Sequence, residues 1–490
     1  MTAGTRLSRT DRAGALKLLR SPPRFINRVL GATMWDTQRD IAQAIADHRR
    51  VAVKACHASG KTHVAARIVI WWITAFKDAI AITTAPTWKQ VERVMWGHIH
   101  TAVHDSPRFR FPKPQTTVLE YSKGNYAIGV STNDAERFAG FRAPKVLIVI
   151  DDAQGVRPAI YEAIEGIRAG GDVRVLALGN PTVIGGPFYD AFSIQRHTWK
   201  TMTISAFDVP NCASLIPRGM RLPGSEREAD KALVQLLADL SAEDLQRDVL
   251  PFLTTRSWVL EKWMDWGAVS NPLWDARVMG RFPKELANAL VPLSWLESAK
   301  NREDDIGRRE QLWAGIDVAG PGEDETVLYI VAGSRILSWQ AWQDPDPRGK
   351  VVAALYDLKD RLGAVKVDSV GMGYYFAKHL RDLGFKVAEV NVGERSTDPE
   401  RFANLKSELY WGLRMRFEAG DAANLSDETV ISQLAGIQFK HDPRGRVLVE
   451  SKDDMRRRGV LKSPDRAEAL MLAYAPVKPT DAAGGEIPFV

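Results

Sequence analysis

VAVKACHASGKTHVAARIVIWW, residues 51–72, is the stretch that decides the fold. It reads as a strand, a tight loop and then a helix. Where the loop turns into the helix stand Gly60, Lys61 and Thr62. The phosphate-loop pattern is G-x-x-x-x-G-K-[S/T]. Ala55 occupies the place of its first glycine, so the strict pattern fails. The end that touches phosphate is intact. Gly60 permits close backbone approach, and the N–H groups of the Ala58–Ser59–Gly60 turn point at an anion from a helix start. Lys61 reaches the β- and γ-phosphates of a nucleotide, and Thr62 ligates Mg²⁺. Alone, the Gly-Lys-Thr triplet is an ordinary turn. A strand before it and a helix after it make a phosphate loop.

Such a loop needs an acidic partner at the end of another strand. VLIVIDDAQG (146–155) supplies one. Five aliphatic residues in a row read as a buried strand, and its carboxylates fall at the C-terminal edge, where α/β sheets bind ligands. Asp151 is placed to hold Mg²⁺. Asp152 stands where a carboxylate polarises the attacking water. Nucleotide motors usually have Glu at that second position. Asp is shorter by about 1.5 Å, one bond length, and a 1 Å misplacement costs about 100-fold in rate. Nucleotide binding with slowed hydrolysis is expected unless the local backbone compensates. In LALGNPT (176–182) a further strand ends in polar residues, with Asn180 or Thr182 placed to sense the γ-phosphate; alone it is an Asn-Pro turn. Before the first strand, MWDTQRDIAQAI (34–45) offers the Gln38 amide to adenine; alone it is a surface helix start.

Outward from these motifs, the first 210 residues alternate strands (51–54, 79–83, 126–131, 146–150, 173–178) with helices (61–76, 87–104). That rhythm predicts a mostly parallel sheet covered on both faces. Residues 211–290 change to Pro- and Gly-punctuated helical patterns, read as a helical lid and linker. From 291 to 478 a second α/β rhythm runs: three antiparallel strands (LWAGIDVAG, TVLYIVAG, RILSWQAW), then alternating helices and strands. This is the element order of a ribonuclease H-like domain. A basic arm (1–30) carries seven Lys or Arg against one acid, Asp11. Residues 479–490 read as a disordered tail.

The second rhythm places carboxylates at comparable positions. Asp317 ends LWAGID, and Asp368 ends VKVD. Asp465 and Glu468, three apart in SPDRAEALMLA, share one face near a helix N-terminus. A gathering of acids repels itself unless cations fill it. Oxygen ligands of this kind suit Mg²⁺ or Mn²⁺, and two such ions about 4 Å apart drive in-line phosphodiester hydrolysis. Asp324, in PGEDET, is a further hairpin ligand candidate. MRRRGVLK (455–462) brings positive charge beside the last acids, where a DNA backbone could lie. The net charge of +6 over 490 residues leans mildly the same way. Two cysteines, Cys56 and Cys212, rule out a disulfide framework. No apolar run reaches bilayer length.

In order and separation, WDTQ, CHASGKT, ERFAGFRAPKVLIVIDDAQGV, LGNPT, SAFDVPN, GIDVAGPGEDETVLYI, VDSVGMGY and SPDRAEALMLA resemble the large terminase subunit of tailed double-stranded DNA bacteriophages. The resemblance implies an α/β chain: an ASCE-type P-loop ATPase core (31–210) with the lid (211–290), followed by the RNase H-like nuclease (291–478). It implies an ATP-driven motor that packages double-stranded DNA into a procapsid, and a metal-dependent endonuclease that cuts concatemers at initiation and termination. ATP with Mg²⁺ would serve the first site, and two Mg²⁺ or Mn²⁺ the second. Carried over by motif, Lys61, Thr62 and Asp151 bind nucleotide and Mg²⁺, with Asp152 in the place of the catalytic Glu. Asp317, Asp368, Asp465 and Glu468 match the nuclease acids; Asp often stands in the family where Glu468 stands here. An arginine from a neighbouring subunit completes such ATP sites, with Arg142 the first candidate and Arg137 the second. The implied partners are DNA, the small terminase subunit, the portal protein and further copies of the chain. The copies form a ring, of five subunits, in the host cytoplasm on the portal vertex; the isolated protein is a monomer, and no membrane is involved. Two other readings share parts of this pattern. A recombination helicase-nuclease would unwind duplex DNA, and a decayed DNA-binding assembly protein would not cut it.

Overall fold

The computed structural model describes the chain except residues 1–16, 108, 132–137, 139, 251, 268–270, 285–287, 305–309, 320–323, 370, 458–462 and 477–490. Arg137, much of the basic arm, the end of MRRRGVLK and the tail lie outside the described residues. Two compact units form. One runs to Trp263 and adds Trp274–Pro283; the other takes Met264–Leu273 and the chain from Lys284 onward.

The first unit is built on a seven-stranded sheet of order β3-β4-β2-β5-β6-β1-β7. Its strands are β1 (Arg50–Ala55), β2 (Ala79–Thr84), β3 (Val118–Ser122), β4 (Asn125–Gly129), β5 (Lys145–Ile150), β6 (Asp172–Gly179) and β7 (Lys200–Ile204). All neighbours are parallel except the β3–β4 pair. β6 thus lies between the strand that leads into the phosphate loop and the strand that ends in Asp151. β2 and β5 are buried almost end to end, as strands covered on both faces must be. On one face Ile80, Ile82, Val146, Ile148, Ile150, Val173 and Val175 form a core with Ile160, Ile164 and Ile167. The other face carries α2.

After the short helix Pro22–Arg28 come α1 (Asp36–Asp47) and α2 (Lys61–Ala75). α2 packs across β2, β4, β5 and β6 and buries ten of its residues from Val64 to Ile73. A π-helical turn, Gln90–Met95, leads into α3 (Trp96–His104), and α4 is Pro158–Arg168. β3 and β7 are absent from the strands expected from sequence. Both are edge strands with few buried side chains, so no apolar alternation marks them. Beyond the sheet, α5 (Glu226–Ala238) is capped by Ser225, whose Oγ accepts from Glu228 N. It is tied down where Trp274 Nε1 donates to Asp230 at 2.9 Å. α6 is Arg256–Lys262.

The second unit holds a five-stranded sheet of order β10-β9-β8-β11-β12. The strands are β8 (Leu312–Asp317), β9 (Thr326–Ala332), β10 (Arg335–Trp342), β11 (Leu362–Asp368) and β12 (Val387–Val390). β9 is antiparallel to β8 and β10, while β11 runs parallel to β8 and β12. Three consecutive strands followed by crossovers is the order expected for a ribonuclease H-like sheet. One face packs on α7 (Arg348–Tyr356) and α8 (Met372–Asp382) through Val351, Leu355, Phe376 and Leu380. α9 (Leu405–Ala419), α10 (Glu428–Gly436) and α11 (Asp465–Tyr474) also belong to the unit. α11 lies on β8, β9 and β11.

Candidate functional sites

At the C-terminal edge of the first sheet, three strands deliver their ends to one place. Gly60 starts α2 at φ 78°, a backbone region closed to most side chains. A Cβ there would also run into the Gln38 amide. Thr62 Oγ1 donates to Asp151 Oδ2 at 2.8 Å. Lys61 Nζ donates to Asn180 Oδ1 at 3.3 Å and lies 3.9 Å from Asp152 Oδ1. Asn180 is itself fixed, since its Nδ2 donates to Ala55 O at 2.6 Å. The loop, both aspartates and Asn180 therefore stand together. Asp151 is only 5% exposed. Burial, then the neighbouring Asp152 charge, pushes it up to about 6 against Lys61 and the Thr62 hydroxyl. Among the described residues, the buried hydroxyls of Ser59 and Thr182 have no hydrogen-bond partner.

Gln38 lies against the Gly60 turn. Its Nε2 donates to Gly60 O at 3.1 Å and its Oε1 accepts from Trp35 N at 3.4 Å. Both ends of the amide are engaged, and the residue braces the turn that carries Gly60. A second brace went unread: Thr254 N donates to Ala58 O at 3.1 Å, and its hydroxyl donates to His57 O. Gln90 was also missed; its Nε2 donates to Asp152 Oδ2 at 3.1 Å. Arg142 is exposed just before β5, a strand that rises about 3.3 Å per residue away from it toward Asp151. Arg142 thus lies roughly 20 Å of strand from Asp151 of its own chain.

In the second unit, α11 lies directly on β8 because Gly315 has no side chain. A Cβ there would run into the backbone of Ala473 and Ala469. Lys366 of β11 holds the far end of the helix, its Nζ donating to Ala473 O at 2.7 Å and to Ala475 O at 2.5 Å. This close seat brings ligand oxygens of Asp317, Asp465 and Glu468 within 4.8 Å of one another, all three residues being buried or nearly so. Asp368 lies outside that tight group. It ends β11 one position beyond Val367, which pairs with Ile316, and its charge still raises Asp317. Asp324 is exposed and outside the group as well.

Two ammonium groups enter the acid cluster. Lys406 Nζ is 2.6 Å from Glu468 Oε1. Lys452 Nζ is 3.0 Å from Glu468 Oε2 and 3.6 Å from Asp465 Oδ1. Burial, then Glu468, raises Asp317 well above the ordinary carboxylate range. Burial also acts to raise Glu468, yet Lys406 and Lys452 outweigh it and hold that group low. No local pattern marked either lysine. Three carboxylates against two ammonium groups leave the cluster acidic on balance, the condition under which oxygen-rich sites take divalent cations.

No family model matches the chain. Among solved structures, it is similar to the large terminase of a thermophilic bacteriophage (10% identity, 90% of this chain and 98% of that one, TM-score 0.40). The HK97 bacteriophage large terminase is similar at 14% identity over 93% and 98%, TM-score 0.38. The nuclease domain of the large terminase subunit of bacterial virus Sf6 is similar at 18% identity over 39% of this chain and all of that one, TM-score 0.34. In sequence, the chain is 25% identical over 479 residues to a probable terminase large subunit of Enterobacteria phage P7, covering 90% of this chain and 88% of the relative. Along nine-tenths of its length, then, the chain is similar to the large subunit of a phage terminase, the family its motif order pointed to.

Proposed function

We propose that the chain is a viral DNA-packaging motor with a built-in nuclease. The reading divides it into an ATPase core (31–210), a helical lid (211–290) and a nuclease (291–478). The observation that carries it is the pairing of two phosphate-directed sites in one chain. One joins Thr62 to Asp151 beside Lys61; the other gathers Asp317, Asp465 and Glu468.

In the ATPase, Lys61 would bind the β- and γ-phosphates, with the backbone of Ala58, Ser59 and Gly60 around them. The unpartnered Ser59 hydroxyl and the tightly engaged Thr62–Asp151 pair suit a nucleotide with Mg²⁺. Thr62 and Asp151 would hold that ion, which supplies charge neutralisation between the phosphates. Asp152 would accept the proton of the attacking water. Its left-handed backbone, φ 46°, supports compensation for its short side chain. Asn180, bonded to Lys61, would register loss of the γ-phosphate. Arg142, far along β5 from its own site, would complete the site of a neighbouring copy in a ring.

In the nuclease, Asp317, Asp465 and Glu468, with Asp368 on the neighbouring strand, would hold divalent ions, Mg²⁺ or Mn²⁺. Two such ions supply water activation and stabilisation of the leaving oxygen. Double-stranded DNA would be moved by the first activity and cut by the second. The small terminase subunit and the portal are the protein partners, and the host cytoplasm, at the portal vertex, is the place of work. Among the described residues no helix is long and apolar enough to cross a membrane.

The test uses both activities of the full chain. ATP turnover should vanish in Lys61→Ala while Mn²⁺-dependent cutting of plasmid DNA persists. Cutting should vanish in Asp317→Ala while ATP turnover persists. A wild-type chain with neither activity, or one that unwinds duplex DNA, rejects the proposal.

A further inference from the structure

Thr87-Trp88-Lys89-Gln90 follows β2 and has the T-x-x-Q form of a helix capping box. Both of its bonds are made: Gln90 N donates to Thr87 Oγ1 at 3.2 Å, and Thr87 N donates to Gln90 Oε1 at 3.0 Å. The Thr87 hydroxyl also donates to Gln90 Oε1 at 2.9 Å. For capping alone, Glu would serve as well as Gln, because only an acceptor oxygen is needed. Gln differs in having a second end that donates. That end leaves the box and lies 3.1 Å from Asp152 Oδ2. The amide cannot be reversed without setting its NH₂ against the Thr87 N–H, so the box itself aims the donor at Asp152.

The receiving side is equally constrained. Asp152 sits at φ 46°, ψ 47°, a left-handed conformation that a non-glycine residue keeps only where its surroundings hold it. Its Oδ1 faces Lys61 Nζ at 3.9 Å, leaving Oδ2 to Gln90. Gln90 also opens the π-helical turn Gln90–Met95, a wide turn often found at functional sites.

We propose that Gln90 is a positioning residue for ATP hydrolysis: its amide fixes Oδ2 of Asp152 so that Oδ1 stays directed at the phosphate site. The inference rests on the reading of Asp152 as the water-polarising acid. A neutral donor suits the task. Lys or Arg at this place would fix the carboxylate too, but would also depress its affinity for a proton, which a general base must keep.

Gln90→Glu is the informative variant. It keeps an acceptor for both Thr87 bonds, removes the donor toward Asp152 and sets a like charge against it. ATP turnover should fall on the order of 10- to 100-fold, as for a misplaced catalytic group, with KM for ATP within about twofold of wild type. Plasmid cutting by the same preparation reports that the chain is folded, and Gln90→Ala provides a second variant without added charge. In the Asp152→Asn background, Gln90→Ala should add less than about twofold to the loss, because residues acting through one another are not additive. Unchanged turnover in both Gln90 variants overturns the proposal. So does an equal loss from Gln90→Ala in both backgrounds, which would mean that Gln90 acts elsewhere. If Asp152→Asn alone leaves turnover intact, the assignment of Asp152 fails first, and the role of Gln90 fails with it.

Discussion

Replacing Arg466 by Met should uncouple the two activities by loosening the nuclease helix. Arg466 lies on α11 between Asp465 and Glu468. Its guanidinium forks onto Glu325, with Nε 3.0 Å from Oε2 and Nη2 3.3 Å from Oε1. Nη1 donates to Asp427 Oδ1 at 3.1 Å, and the group stacks 4.7 Å from the Trp339 ring. Asp427 is 2% exposed. Removing one partner of a buried pair costs about 3–5 kcal/mol, because the other charge is left uncompensated. The lower part of that range applies here. Asp427 would still accept from Tyr329 OH at 2.6 Å and from Thr429 N at 2.9 Å. Glu325 is more accessible, and losing that fork adds only about 0–1 kcal/mol. The ring contact adds roughly another 1 kcal/mol. A total near 4–5 kcal/mol lowers the melting temperature of a unit of this size by roughly 10–15 °C. Calorimetry of the full chain should show that shift in one transition. Mn²⁺-dependent plasmid cutting should fall while ATP turnover is kept. Arg466→Lys, which keeps charge but loses the fork, should lie between. A shift below about 2 °C, or unimpaired cutting in the Met variant, would refute this account of how α11 is held.

Gly315→Ala places a methyl group against the α11 backbone and should cost about 1–3 kcal/mol. It should also weaken Mn²⁺ binding, read by titrating cutting against metal; wild-type metal dependence would refute the close-seat argument. Asp152→Glu should bring no gain in ATP turnover, because the left-handed backbone and Gln90 are set for the shorter acid. A large gain would show instead that the short side chain throttles the motor. Burial, then the Arg67 charge, lowers His98, which also meets the His63 ring edge-on at 6.2 Å. The unfolded chain then binds that proton more readily below about pH 6.5, so stability of the first unit should decline as pH falls from there. Thermal melts between about pH 7 and 5 should show a slope that flattens in His98→Phe.

Much of the fold was legible because its signals are local. β5 is a continuous apolar run, and β8 and β9 have strand-length apolar stretches; a short sequence window contains the whole argument for each. The phosphate loop is equally local, since a strand, a glycine turn and a helix start are consecutive. β3 and β7 escaped for the opposite reason, as edge strands with little to bury. The bond from Gln38 to Gly60 O was not legible, because an amide at a helix start gives no sign of which backbone carbonyl it will meet.

The sequence by itself determined which groups could handle phosphate: Lys61 and Thr62 on a glycine turn, and carboxylates at the ends of apolar strands. Tertiary structure alone decided how those groups are held. Gln90 meets Asp152 across 62 residues and Lys406 meets Glu468 across another 62, while α11 reaches Asp317 only because Gly315 lets two backbones touch. Strand and loop chemistry is written within a few residues, whereas the aim of a carboxylate depends on side chains that chain folding brings from elsewhere.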